Sequence, residues 1–383
     1  MLQRRVEVTA SIVRARTRPP SATGSPVVAS LRLVRDRRAA LTARPLYDLR
    51  VGPSELPFTY PPAAAIVFVP LALVPIRAAQ VMWTLLSLCC VVLATRICVS
   101  GFARVRWRAC CVGVLVLALV TNPARVSFTL GQINPLVLLA IVNDLNPRNR
   151  SKWRGIGIGV VAALKLTPLF VVAGLVATRR WREASVAVAT FVLVGALAFV
   201  VRPTDSLRFW GGYFLDAGRV GGIAYVSNQS FNAMLMHALS GHAAARVPWL
   251  VVSCAWSASV FLFARRYHRN DPAGVDSVII ASSLLVSPVS WVHHYLLSYP
   301  IIASGLRLWF VRRSRVLGAA LLALLATSIT GIIWSVPRGG GREYHYSAAI
   351  FVVAHADVIC LTMTVLAVAW VIARRQVLPE PLA

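Results

Sequence analysis

Acidic residues and lysine are scarce in this chain, although basic residues as a whole are abundant. Aspartate and glutamate number 13 among 383 residues, against 40 lysines and arginines, and the only lysines are Lys152 and Lys165. A net charge of +27 could indicate a nucleic-acid partner in a soluble protein. Here the arginines instead form clusters between apolar stretches, which is typical of cytoplasmic loops in membrane proteins. We therefore expect a lipid bilayer and no nucleic acid as the partner.

Cysteine also occurs in a pattern that argues against two classes of site. The seven cysteines show no C-x-x-C spacing and no clustering with histidine at metal-ligand distances. All lie in or beside apolar stretches, where cysteine is usually a small core residue. The sequence therefore predicts neither a disulfide framework nor a metal site. The cysteines are Cys89, Cys90, Cys98, Cys110, Cys111, Cys254 and Cys360.

Long apolar runs are what the chain has in quantity, with 57% hydrophobic residues overall. A spanning helix needs roughly 20 mostly apolar residues, and it must be helical because lipid offers its backbone no partner. We predict an all-α polytopic membrane bundle of about nine to eleven spans over residues 46–383, as one domain. Residues 1–45 are a basic tail with no run long enough to span. The runs are 61–75, 79–101, 109–121, 133–145, 155–177, 184–201, 248–264, 275–291, 295–310, 317–334 and 348–373.

The arginine clusters also predict which end of each helix faces the cytoplasm. Placing all of them inside leaves five outer segments: the part up to residue 60, 122–132, 202–247, the turn near His293, and 335–346. Parity then requires residues 155–177 to go out and return as two short helices, broken at Lys165-Leu-Thr-Pro168. The clusters lie at residues 104–108, 148–152, 179–182, 265–269, 312–315 and 374–375. The cytoplasmic loops are short and basic, whereas the outer segments hold the asparagine, glutamine, tyrosine, tryptophan and histidine residues that could form a site. We therefore expect the function to lie outside the cytoplasm.

Lys165 is the first candidate for a functional residue. A lysine inside an apolar span costs about 2.5–3.5 kcal/mol on insertion scales, and it marks a site by default. Its ammonium could hold a phosphate in a cavity at the break, although snorkelling to the interface is the alternative. The nearby glycines Gly155, Gly157 and Gly159 do not follow a strand, so we expect them to serve helix packing rather than nucleotide binding.

Further candidates lie in the outer segments. Tyr60 is either an interfacial anchor or part of a sugar platform. The adjacent His293 and His294 end a span beside a proline, and they either anchor it or hydrogen-bond a phosphate or hydroxyl. Asn228 and Gln229 stand beside aromatic residues, a combination that suits carbohydrate, although ordinary loop chemistry explains much of it.

Seven motifs occur in an order that resembles the actinobacterial membrane mannosyltransferases dependent on polyprenol-phosphate-mannose, glycosyltransferase family 87, with its C-type membrane fold. The resemblance covers about residues 45–375. The motifs are Pro45-Leu-Tyr-Asp48, Phe58-Thr-Tyr-Pro-Pro62, Gly131-Gln-Ile-Asn134, Lys165-Leu-Thr-Pro168, Arg179-Arg-Trp181, Ser227-Asn-Gln-Ser230 and Ser287-Pro-Val-Ser-Trp-Val-His-His294.

The resemblance implies an inverting, metal-independent hexosyl transfer without a cofactor. The donor would be a polyprenyl-phosphate sugar, expected to be mannose, and the acceptor a glycolipid or lipoglycan outside the plasma membrane. Lys165, with His293 or His294, would bind the donor phosphate and stabilise it as it leaves. A carboxylate in the first outer segment would deprotonate the acceptor hydroxyl.

Two features depart from the family's pattern. No span precedes residue 61, and Ser30 stands where the family has its aspartate. The nearby carboxylates that could supply the base are Asp36 and Asp48, the candidates chosen here, and Glu55. Either the start of the chain is mis-set, or the protein is a degenerate member.

The alternative function is a transporter or flippase for a lipid-linked substrate. It would predict broken helices in matching halves of the chain, and the sequence shows one break. A scaffold without any site would have to treat the ordered motifs as accident.

Overall fold

A computed structural model describes residues 45–48, 50–51, 56–100, 112–113, 116 and 120–374. Residues 1–44 of the predicted basic tail, with Ser30 and Asp36, lie outside the described residues, as do Glu55, the cluster at 104–108 and most of the expected span at 109–121. The division into a tail and one membrane domain therefore stays a prediction.

Most of the described residues are helical, as predicted. The two strands are two residues each and pair antiparallel, Arg50 with Pro57 and Val51 with Leu56. In chain order the elements are β1 Arg50–Val51, β2 Leu56–Pro57, α1 Pro62–Val67, α2 Val69–Ala72, α3 Ile76–Val99, α4 Asn122–Thr129, α5 Asn134–Leu145, α6 Ile156–Leu164, α7 Leu169–Ala177, α8 Trp181–Val201, α9 Pro203–Trp210, α10 Phe231–Ala238, α11 His242–Tyr267, α12 Pro272–Val286, α13 Tyr299–Arg312, α14 Arg315–Thr330, α15 Ala348–Ala354 and α16 Ala356–Arg374. Short 3-10 helices cover 46–48, 213–215, 217–220, 292–298, 332–335 and 342–345.

Four described helices, α3, α8, α11 and α16, are long and apolar enough to cross a membrane alone. On α8, Leu193 and Val200 are 60% and 80% exposed. Apolar side chains exposed along a long helix suit contact with lipid. The chain is therefore an all-α polytopic membrane protein, although several predicted spans are short or broken helices and the count of nine to eleven stays a prediction.

Three of the predicted arginine clusters are held at one end of the bundle by direct contacts. Arg182 donates to the Lys152 carbonyl at 2.9 Å, so the clusters at 148–152 and 179–182 are neighbours. Arg180 forms an ion pair at 2.6 Å with Asp276, which His268 also approaches. These contacts bring the cluster at 265–269 and the start of α12 to the same end.

Two more contacts complete what we call the arginine end. Arg307, near the end of α13, pairs with Asp271 at the start of α12 at 2.5 Å. Ile372, near the end of α16, packs so close to Gly274 that an added Cβ would lie 2.8 Å from it. Among the described clusters all five therefore share one end, as the topology argument predicts.

Helices α6 and α7 form a hairpin whose tip is Lys165. A Cβ at Gly155 would lie 2.3 Å from the Glu183 carbonyl oxygen, and one at Gly159 would lie 2.4 Å from that of Ala187. Because residue numbers rise together along both contacts, α6 runs parallel to α8. The intervening α7 must therefore return toward the arginine end. The predicted out-and-back course of 155–177 is confirmed, and so is the packing role of these glycines.

A second break was not expected from the sequence. Residues 122–132 were predicted to be an outer loop, but α4 occupies 122–129, and it meets α5 at an angle of 119°. Pro123 stands in the first turn of α4, where its missing N–H costs nothing. Gly131, with φ +56°, supplies a left-handed residue at the bend.

Candidate functional site

A cavity of about 1470 Å³ opens at the end of the bundle opposite the arginine end. Its wall draws on every predicted outer segment and on the hairpin tip. The lining stretches include 57–61, 122–132, 165–170, 209–227, 286–294 and 329–342. The segments that the arginine clusters predicted to lie at one side of the membrane therefore surround a single cavity in the described structure.

The charged side chains on the described wall are nearly all cationic. Five basic residues line the cavity against one carboxylate, that of Asp216. Such a surplus raises the local concentration of anionic ligands. The basic residues are Arg125, Lys165, Arg219, Arg338 and Arg342. The cavity is thus suited to a substrate that carries phosphate.

The two helix breaks meet at Lys165. Its Nζ donates to Asn134 Oδ1 at 2.7 Å, and Asn134 Nδ2 donates to the His293 carbonyl at 2.8 Å. Asn134 is fully buried, whereas Lys165 is half-buried and lines the cavity. An ammonium has three donors, and the other two have no partner among the described residues. The arrangement presents a fixed cation to the cavity.

His293 and His294 both line the cavity beside this cation. Their rings are perpendicular, with centroids 4.6 Å apart, in the 3-10 turn that joins α12 to α13. The turn is fixed because the Val292 N–H donates to the Ser227 carbonyl at 2.9 Å. The structure thus brings Lys165 and both predicted histidines to one wall.

Asn228 and Gln229 are fully buried and do not line the cavity. Asn228 Nδ2 donates to the Ile223 carbonyl, and its Oδ1 accepts from Ser290 N at 2.8 Å. Gln229 Nε2 donates to the Ala354 carbonyl at 2.7 Å. These amides hold the backbone around the 3-10 turn Val292–Ser298, which we call the histidine turn. Their direct contact with substrate stays a prediction.

Tyr60 lies on the wall and is held from both sides. Its hydroxyl donates to Gln132 Oε1 at 2.7 Å, and its carbonyl accepts from the Tyr47 hydroxyl at 3.1 Å. Burial raises the pKa of Tyr47 well above its usual value. Both hydroxyls are engaged in hydrogen bonds, and Tyr60 is one of the residues that line the cavity, so its contact with a sugar stays a prediction.

The candidate bases are not gathered at the cavity. Asp48 is exposed, pairs with Arg208 at 2.9 Å, and is not among the lining residues. Asp36 lies outside the described residues. Asp216 lines the cavity, and its Oδ1 accepts from Gly218 N at 3.0 Å. The assignment of the base stays a prediction.

Sequence reasoning missed Asn134 and most of the cavity arginines as site residues. Asn134 belongs to the Gly131-Gln-Ile-Asn134 motif, which served only for the resemblance. A polar residue directly before a proline that opens an apolar helix could have marked this position as a break.

Three curated relatives resemble the chain over most of its length. A Mycobacterium tuberculosis polyprenol-phosphate-mannose-dependent α-(1-2)-phosphatidylinositol pentamannoside mannosyltransferase is 32% identical, over 73% of this chain and 65% of its own length. A phosphatidylinositol mannoside mannosyltransferase of the same species is 31% identical, over 75% and 71%. Its Mycolicibacterium smegmatis counterpart is 29% identical, over 82% and 81%.

No solved structure matches the chain. The sequence profile of glycosyltransferase family 87 matches residues 58–288, which include α1 to α12 and the cavity wall up to the histidine turn. The chain therefore belongs to glycosyltransferase family 87.

Proposed function

We propose that this chain transfers mannose from a polyprenyl-phosphate-mannose donor to a hydroxyl of a phosphatidylinositol mannoside. The observation that carries the proposal is Lys165, at a hairpin tip and bonded to Asn134 at 2.7 Å, on the wall of a cation-rich cavity. The named activities of the relatives supply the sugar and the acceptor class.

In the proposed reaction the acceptor oxygen attacks the anomeric carbon of mannose. The bond from that carbon to the phosphate oxygen breaks, and its electron pair leaves with the polyprenyl phosphate. The acceptor's proton passes to a carboxylate, for which Asp36 and Asp48 are the candidates. Lys165 stabilises the charge that develops on the leaving phosphate, and His293 or His294 hydrogen-bonds the same group. Attack opposite the leaving group inverts the anomeric centre.

An active transferase fits the chain better than either alternative. The relatives are named as mannosyltransferases, and none of these matches supports a degenerate chain or a transporter. The two breaks that meet at Lys165, at 130–133 and 165–168, are in consecutive segments of the chain. A transporter built from inverted repeats would place them in corresponding positions of two halves.

The test is mannosyl transfer by the full chain in membranes, with Lys165→Gln beside Lys152→Gln. Lys152 is a matched control because it is the only other lysine and is exposed at the arginine end. We expect Lys165→Gln to lower kcat by about 100–1000-fold, the usual cost of losing one group that stabilises transition-state charge. Lys152→Gln should transfer like the unaltered protein.

Equal transfer by both variants would refute the role of Lys165. Absence of transfer by the unaltered, correctly inserted chain, together with donor movement across vesicles, would favour a flippase instead.

A further inference from the structure

One segment of the cavity wall has no part in the proposed mechanism. Residues 338–342 read Arg-Gly-Gly-Gly-Arg, and we call them the glycine loop. Arg338, Gly339 and Arg342 line the cavity, and both arginine side chains are exposed. Lys165 is half-buried at the hairpin tip. The glycine loop therefore forms part of the outer rim of the cavity.

The backbone of the glycine loop takes a shape that favours glycine. Gly339, Gly340 and Gly341 have φ of +77°, +67° and +84°, in the left-handed region. A Cβ at Gly339 or Gly340 would meet nothing within 4 Å, so crowding is not what selects glycine there. Turns with left-handed residues can direct successive N–H groups toward an anion. The left-handed backbone conformation is therefore what favours glycine in this loop.

Three hydrogen bonds and a cation–π contact hold the glycine loop in place. Glu343, only 3% exposed, accepts a hydrogen bond from the Gly339 N–H at 2.5 Å. Arg338 donates to the Trp334 carbonyl, and its guanidinium lies 5.6 Å from the centre of the Trp334 ring. The Tyr346 hydroxyl donates to the Pro337 carbonyl at 2.8 Å. The loop is thus braced by its neighbours while its two arginines remain exposed at the rim.

The substrates of the proposed reaction carry two phosphates, and Lys165 accounts for one. A phosphatidylinositol mannoside has its own phosphodiester, which must stay near the bilayer surface because acyl chains hold it there. Arginine suits phosphate because its planar fork donates two parallel hydrogen bonds. We propose that the glycine loop, through Arg338 and Arg342, binds the acceptor's phosphodiester. This inference rests on the proposed function and assigns the second anion of the same cavity.

The test compares two acceptors, a phosphatidylinositol mannoside and an uncharged alkyl mannoside. The variants are Arg338→Ala/Arg342→Ala and Gly340→Ala, which keeps both charges but strains the loop. Arg246→Ala is the matched control, because Arg246 is an exposed arginine near the start of α11 and does not line the cavity. In the double variant we expect KM for the phosphatidylinositol mannoside to rise about tenfold or more, as when charge-assisted hydrogen bonds to phosphate are lost.

The expected change is selective. KM for the donor and for the alkyl mannoside should stay within about twofold in the double variant, and Gly340→Ala should raise only the acceptor KM. A parallel rise for both acceptors, or no rise for either, would overturn the proposal. A rise in donor KM alone would assign the arginines to the donor phosphate instead.

Binding measurements separate failure of this inference from failure of the proposed function. If the unaltered chain transfers to neither acceptor, binding of phosphatidylinositol and of a neutral glycolipid to the full chain in detergent still tests the glycine loop. Loss of phosphatidylinositol binding in the double variant, with binding retained by Arg246→Ala, would support it. Inorganic phosphate that binds as well as the lipid would show a general phosphate site, and so overturn the lipid assignment.

Discussion

Asn134 joins the two helix breaks through a single buried side chain. It accepts from Lys165 Nζ at 2.7 Å and donates to the His293 carbonyl at 2.8 Å. We expect Asn134→Ala to lower kcat/KM by about 10–100-fold, since a hydrogen bond to a charged group contributes about 1.5–3 kcal/mol. Asn134→Asp should raise donor KM further, because a carboxylate beside Lys165 repels phosphate.

Steady-state kinetics that separate kcat from donor KM check this prediction. Asn143→Ala is the control, an exposed asparagine on the same helix α5 at the arginine end. If Asn134→Asp binds donor as well as Asn134→Ala does, the phosphate does not lie beside Lys165.

The identity of the base can be tested with three carboxylate variants. Asp48 is exposed and paired with Arg208 outside the cavity, and such a pair contributes about 0–1 kcal/mol. We therefore expect Asp48→Asn to reduce kcat less than about tenfold. Asp36→Asn should reduce kcat by the roughly 100–10,000-fold typical of a lost general base. Asp216→Asn, from the described carboxylate on the wall, completes the set, and a large loss there alone would move the base to Asp216.

Helices α6 and α8 pack closely together because Gly159 of α6 has no side chain at their contact. A Cβ at Gly159 would lie 2.4 Å from the Ala187 carbonyl oxygen and 2.6 Å from Thr190 Cβ. We expect Gly159→Ala to destabilise the protein by about 1–3 kcal/mol, the usual cost of overpacking. Gly195→Ala on α8 is the control, because a Cβ there meets nothing within 4 Å. It should be neutral or gain up to about 1 kcal/mol.

Thermal unfolding of both variants in one detergent measures the difference. A Gly159→Ala protein as stable as Gly195→Ala would mean that the two helices can separate without cost.

The helical elements differ in how far the sequence could predict them. The hairpin of α6 and α7 was predictable because charge parity and the proline at 168 pointed to the same break. Helix α4 was not, because its residues are polar enough to resemble a loop. Asn228 and Gln229 were chosen because amides suit carbohydrate. The Gln229 amide instead donates a hydrogen bond to the carbonyl of Ala354, 125 residues away along the chain. Only the folded chain shows that such an amide is already satisfied.

At the scale of the whole molecule, the predicted arginine clusters and the candidate site lie at opposite ends. The arginine end carries the described basic clusters and their ion pairs, while the cavity end carries Lys165 and the histidine turn. Both ends follow from the same topology argument, because each crossing reverses the chain. The internal contacts fix which segments share an end, but not which end faces the cytoplasm.

Orientation in the membrane is the last prediction, and two exposed serines test it. Ser151 lies in an arginine cluster, and Ser335 lies beside the cavity. Because arginine-rich loops stay in the cytoplasm, a membrane-impermeant maleimide should label Ser335→Cys in intact cells and Ser151→Cys only after lysis. The unaltered chain, whose described cysteines are at apolar positions, gives the background. The reverse labelling would place the cavity in the cytoplasm, where the proposed extracytoplasmic acceptor could not reach it.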